Sequence, residues 1–356
     1  MHTDYTYAID FYRPDGAAIC QIPVEPDWMA ALEWVHFEGI RAGVLPPLMV
    51  ANLAGGAYHV EPVWHPTAGQ PRVSGFRITV PANGNGAKTV SRQIPTAYLR
   101  GVVEQASAVF VEKGVLQTGE TFRYVVSAFA SMARVADAPS LDFAVEEIAQ
   151  PLPLTKTALE ALLCGALPPD AKHRDGDLPV FIPQAVLDET TELARLAGDV
   201  ETGGVLVGFL HHDAGIPEIF VEVTAQIAAL HTEAAATKLT FTPNTWAAVR
   251  AALALRKRGE VMVGWWHYHP DFCRLRNCPL GNRLRCTAAS AFFSGEDIAL
   301  HTALFARAYN TALLISDSAA TGLSASLFGW RQGMVSARGF YTIGGDTDDG
   351  ASRTTD

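Results

Sequence analysis

The stretch Gly264-Trp265-Trp266-His267-Tyr268-His269-Pro270 closes an apolar run and sets two imidazoles two residues apart. On an extended chain residues i and i+2 point to the same side, so His267 and His269 can turn toward one cation. Further along, Ser294 stands three residues before Asp297 in "SGED". That is the spacing of a helix start in which the serine caps and the acid lies in the first turn. Two imidazoles, one carboxylate and one water compose an open, catalytic zinc site, whereas a cysteine-rich shell is structural. Such a site needs a base for its water, and Glu201, at the head of "ETGGVLVG", is the candidate.

These residues need strands and helices to hold them. Positions 186, 187, 190, 193, 194 and 197 form one helical face, which Gly198 can close. "GGVLVGFL" reads as a buried strand turning at "HHDAG", with "EIFVEVTAQI" as its neighbour. Thr242 caps a helix that has Pro243 at its first position, and Arg256-Lys257-Arg258-Gly259 ends it with favourable charge and a left-handed stop. "EVMVGWWHYH" follows as a central strand. Upstream, the alternation of Tyr5, Tyr7, Ile9 and Phe11 predicts a strand, "RPDG" a turn and "AICQIPV" its hairpin partner. Residues 27–42 and 96–112 read as helices, and Phe76–Val80 and 121–130 as strands. A helix over 154–167 leads into "PPDAKHRDGDLP", a linker by composition. The fold class is therefore α/β to α+β. It comprises an α+β domain over 1–150, a helix and linker over 151–179, a domain carrying the chemistry over 180–343 and a disordered polar tail over 344–356.

A glutamate in "ETGG-x-L-x-G", then "GWWHYHP", then Ser-x-x-Asp opening a helix resembles the JAMM (MPN-plus) zinc metalloprotease family over residues 180–343. Its members cleave isopeptide or peptide bonds after ubiquitin or ubiquitin-like proteins. The resemblance implies a mixed curved sheet with flanking helices, with His267, His269 and Asp297 ligating zinc. It makes Glu201 the general acid/base and gives Ser294 a part in holding the water and the developing oxyanion. The compact family pattern puts about ten residues between the second histidine and the aspartate, whereas residues 270–296 intervene here, an insertion of about seventeen. Asp271 is a competing acid inside that gap, but it follows Pro270 too closely to reach back easily.

The insert, 271–293, carries Arg274, Arg276, Arg283 and Arg285 within an acidic protein, so a solvated loop and a substrate-binding surface are its two readings. Cys273, Cys278 and Cys286 in C-x4-C-x7-C spacing can supply most of a second, structural zinc site or stand as free thiols. His211, His212 or His301 is a conceivable fourth ligand for that second ion.

A formal net charge of -10 excludes broad electrostatic attraction to nucleic acid or an anionic membrane. No apolar run approaches bilayer length and no signal segment opens the chain, so it reads as cytoplasmic. The expected activity is a zinc-dependent isopeptidase or processing protease acting on a ubiquitin-like protein or its conjugate. The resemblance extends to deubiquitinase-like proteins of bacterial ubiquitin-like conjugation operons, with conjugation-pathway enzymes as further partners and antiphage defence as the setting. Processing of a sulfur-carrier protein or small peptide conjugate, and a non-catalytic scaffold, are the alternatives.

Overall fold

The computed structural model describes residues 4–49, 58–81, 89–131, 150–169, 172–229, 232–235, 238–283, 292–319 and 321–344. It is mixed α/β and mostly sheet. The chain divides into two compact units, Met1–Leu152 with Gln332–Met334 and Pro153–Arg331 with Val335–Asp356.

The first unit opens with a hairpin of β1 (Asp4–Tyr12) and β2 (Ala18–Val24), turned by a Gly16 N–H to Arg13 carbonyl bond of 2.9 Å. There follow α1 (Met29–Arg41), β3 (Leu48–Met49), β4 (His59–Trp64), β5 (Arg72–Pro81), β6 (Thr89–Pro95), α2 (Arg100–Glu112), β7 (Arg123–Ser131) and β8 (Gln150–Pro151). The main sheet has the order β2-β1-β7-β5-β4, with β6 also on β5. Ile9, Phe11, Phe76 and Ile78 are wholly covered, as the period of two requires of a strand with one face inward. The expected strands and helices of this region form, except that the first turn of the helix expected from residue 96 is a 3-10 turn, Thr96–Leu99.

The second unit begins with β9 (Leu154–Lys156) and α3 (Leu159–Leu163), so the single helix expected over 154–167 is corrected. β9 pairs in parallel with β11 (Gly203–Asp213), Leu154 opposite Leu210, and this non-local ladder outweighs local helix propensity. The linker stretch is tied down as well, because Asp177 is buried and takes Arg331 Nε and Nη2 at 2.8 and 2.6 Å. Between them in sequence lie β10 (Val180–Pro183) and α4 (Gln184–Ala197), whose buried face of Val186, Leu187, Thr190 and Ala194 ends at Gly198 with φ +65°. β11 runs on through His211 and His212 instead of turning there, and β12 (Glu218–Ala228) pairs with it throughout. Next come β13 (Thr232–Ala235), β14 (Lys238–Phe241) and α5 (Pro243–Arg256). Thr242 caps α5 as expected, and Lys257 takes the left-handed stop with φ +52°.

β15 (Val261–His269) lies antiparallel to β11 and parallel to β16 (Thr311–Ser318). A parallel pair requires a crossover, which here is built from α6 (Phe272–Leu275), α7 (Leu280–Arg283) and α8 (Gly295–Leu304). The strands β17 (Gly322–Arg331), β18 (Met334–Arg338) and β19 (Tyr341–Ile343) complete a sheet of order β18-β17-β16-β15-β11-β12-β10-β19, with β9 on β11. Gly264 lets β15 approach β16, since a Cβ there would fall 2.1 Å from the Thr311 carbonyl oxygen. Among the described residues no helix is long and apolar enough to cross a membrane. The tail expected to be disordered lies, beyond Gly344, outside the described residues.

Candidate metal centre

In a strand-helix-strand crossover the helix begins near the carboxyl end of the first strand, the usual place for ligands in α/β sheets. Here that geometry sets the start of α8 against the end of β15. His267 and His269 share one face of β15 with Trp265, while Trp266 and Tyr268 take the other. The Tyr268 N–H bonds to the Thr202 carbonyl at 2.8 Å, extending the Gly203–His267 register so that Glu201 falls opposite His269.

At the head of α8 the Ser294 Oγ accepts the Asp297 N–H at 3.1 Å, and Asp297 Oδ2 accepts the Ser294 N–H at 2.7 Å. The expected helix start is therefore a full capping box. Asp297 does more than cap. Its Oδ1 lies 3.2 Å from His267 Nε2 and its Oδ2 3.4 Å from His269 Nε2, with the two Nε2 atoms 3.0 Å apart. The donor atoms all lie within 4.8 Å of one another, and among the described residues this is the only such group of His, Cys, Asp and Glu.

The residues fit a zinc ion. Two imidazole nitrogens and a carboxylate are a common donor set for open zinc sites. His267 Nδ1 is buried without a hydrogen-bond partner among the described residues, so the ring presents Nε2 toward the group as its only engaged nitrogen. Burial holds His267 below its ordinary pKa, against the opposing pull of Asp297, which favours the neutral imidazole a metal requires. Burial pushes the Asp297 carboxyl up, but hydrogen bonds and charge from His267 and His269 outweigh it and keep the carboxyl well below the usual range.

Glu201 is 5% exposed, and among the described residues no salt bridge reaches it. Burial, countered by His269 and reinforced by the Asp297 and Glu296 carboxylates, pushes it up to about 7, the range suited to a general acid/base. Glu201, His269 and Ser294 line one cavity of about 610 Å³ together with Phe272, Phe292 and Arg276. Ser294 Oγ accepts from Asp297, and its hydroxyl proton has no protein acceptor among the described residues.

The insert divides between cavity and surface. Arg276 lines the cavity, Arg274 pairs with Asp199, and Arg283 Nε donates to the Cys278 carbonyl at 2.8 Å. Cys273 and Cys278 line the cavity, whereas Arg285 and Cys286 lie outside the described residues, and with Cys286 the full three-cysteine set. Asp271 is a helix cap, its Oδ1 accepting the Arg274 N–H at 3.0 Å. His211 and His301 each spend a ring nitrogen elsewhere: His211 Nε2 on Glu222 at 2.7 Å, His301 Nδ1 on the Trp265 N–H at 3.0 Å. Spacing alone did not indicate Phe272 and Phe292, whose rings stand 5.6 Å from that of His269. Their only signal is that they adjoin the Pro270-Asp271 and Ser294 positions.

No protein-family model matches the chain, and no curated protein matches it. Among solved structures, the solution structure of a protein from Desulfitobacterium hafniense is similar at 20% identity, covering 46% of this chain and 92% of that one, with a TM-score of 0.30.

Proposed function

We propose that the protein is a zinc-dependent isopeptidase or protease of the JAMM type, removing a ubiquitin-like protein from a conjugate or precursor. The observation that supports this reading is the convergence of His267, His269 and Asp297 beside a cavity that Glu201 and Ser294 also line. A zinc ion held by the two histidines and the aspartate would supply Lewis acidity to water and to the scissile carbonyl. Glu201 takes the proton from the attacking water and returns it to the leaving amine, which for an isopeptide is a lysine side chain. The Ser294 hydroxyl donates to the oxyanion that forms on the carbonyl oxygen. Phe272 and Phe292 limit water around His269, and Arg276 offers a charge at the cavity wall.

The test compares Glu201→Ala with wild type in pull-downs from the native cell, followed by incubation of each captured protein with active enzyme. Retention of a small ubiquitin-like protein by the variant, and its release or trimming by wild type, supports the reading. Identical uncleaved partners on both proteins favour a scaffold. Absence of any captured protein, with cleavage of small peptide conjugates, favours the sulfur-carrier or small-conjugate alternative.

A further inference from the structure

We infer that Trp265 and His301 are positioning residues that hold the His267 imidazole in its working plane by aromatic stacking. This inference rests on the reading of His267 as a metal ligand. A histidine bound to a metal ordinarily donates its second N–H to a carboxylate, a carbonyl or water, and that bond fixes the ring. His267 Nδ1 has no carboxylate or carbonyl partner among the described residues, although it is completely buried. Rings do the work instead. The Trp265 indole lies 4.5 Å from the imidazole, centroid to centroid, at an interplanar angle of 15°, and the Phe293 ring meets it edge-on at 5.6 Å.

The stack follows from the strand. Residues 265 and 267 are i and i+2 on β15, so their side chains stand next to one another on one face. That contact alone leaves the indole free to tilt. The Phe305 ring lies nearly parallel to it at 6.0 Å and 15°, and the Trp265 N–H is anchored on His301 Nδ1 at 3.0 Å. The indole is donor only, so Nδ1 must carry the lone pair and the His301 proton must sit on Nε2. That Nε2 is itself buried without a hydrogen-bond partner among the described residues, beside the rings of Phe293, Phe305 and Trp330. Burial accordingly keeps His301 neutral, with its pKa pushed down to about 3. A leucine at 301 would fill an apolar site without an orphaned N–H. What the histidine adds is an acceptor that fixes the indole, and through it the imidazole plane.

The experiment measures zinc affinity by competition with a chromogenic chelator, alongside the thermal midpoint of the metal-free protein. His301→Leu is expected to weaken zinc binding about tenfold, the lower end of what loss of an outer-shell partner costs. His301→Gln, whose amide oxygen can accept the indole N–H, is expected to restore it. Trp265→Phe is expected to weaken binding comparably, and His301→Leu should add nothing further in that background, as for two residues acting through one contact. Unchanged affinity in both His301→Leu and Trp265→Phe overturns the inference, even where the thermal midpoint falls, because the pair then only packs. Should His301→Leu fail to fold, the contrast between Trp265→Phe and His301→Gln decides: weaker binding in the first alone supports the inference, and equal affinities overturn it. Failure of the wild-type chain to bind zinc overturns the metal reading itself and this inference with it.

Discussion

The paired strands β11 and β15 carry buried ionisable groups at both ends, and the two ends treat them in opposite ways. Where β15 starts, Glu260 has a fully covered side chain and takes Arg256 Nε and Nη2 at 2.6 and 2.8 Å and the Thr224 hydroxyl at 2.5 Å. Hydrogen bonding from Arg256, opposed by burial and aided by Thr224, pulls it down to about 2. Nearby on β11, His211 is engaged on both nitrogens: Nε2 bonds to the Glu222 carboxylate at 2.7 Å, and Nδ1 lies 2.7 and 2.9 Å from the Thr155 and Thr157 hydroxyls. At the other end Glu201 is equally buried but goes up to about 7, and two imidazoles face each other across one carboxylate. A buried glutamate or histidine is thus not informative by itself. Leftover bonding capacity beside a cavity is what separates a candidate site from a staple.

The sharpest way to break this comparison is Glu201→Gln. It is expected to lower turnover of a cleavable conjugate by about 10²–10⁴-fold while leaving zinc content unchanged. Loss of the metal together with activity would make Glu201 a support for the ligands. Ser294→Ala comes next, with a fall of about 10²-fold in kcat from the missing oxyanion donor. Chemical denaturation should show an accompanying loss of about 1 kcal/mol from the missing cap. An effect on stability alone would reduce the serine to its capping role.

At the satisfied end the expected changes are in stability only. His211→Leu removes the partner of Glu222 and frees Thr155 and Thr157, which should cost about 1–3 kcal/mol in urea unfolding and leave zinc affinity at the wild-type value. Glu260→Gln should cost less, about 1 kcal/mol at neutral pH, because the amide oxygen still accepts from Arg256. It should also change the acid limb of the stability curve. The folded pKa of Glu260, about 2, lies below its ordinary 4.5, so its stabilisation is complete above 4.5 and drains away as pH falls toward 2. Unfolding midpoints of the variant should therefore depend less steeply on pH across that window.

The candidate site was legible because each of its parts has a local signature: alternate histidines on a strand, a serine and an acid at capping distance, a glutamate at a strand head. Their order along the chain did the rest. The second unit's misreadings share one cause, which is a partner far away in sequence. Leu154–Lys156 becomes strand through Leu210–His212, and His211 stays within its strand because Glu222 and the two threonines bind it there. Asp177 looks like linker until Arg331 arrives from β17. The aromatic support of His267 was hidden differently. Trp265 has no signature that separates ordinary core packing from its stack on the imidazole two residues on.

The double use of Asp297 carries a consequence for how such a chain drifts. One of its oxygens closes the helix start on Ser294, and both face the histidines. An asparagine at 297 could accept the same Ser294 N–H and begin the same helix, yet it would bring no negative charge to the imidazole pair. A centre able to hold a cation and an inert look-alike would then differ by the exchange of a single oxygen for an amide nitrogen, with the backbone and the cap all but indifferent to which is present. Silence of that kind leaves no mark on shape, and only assays of cation binding and turnover can tell the two apart.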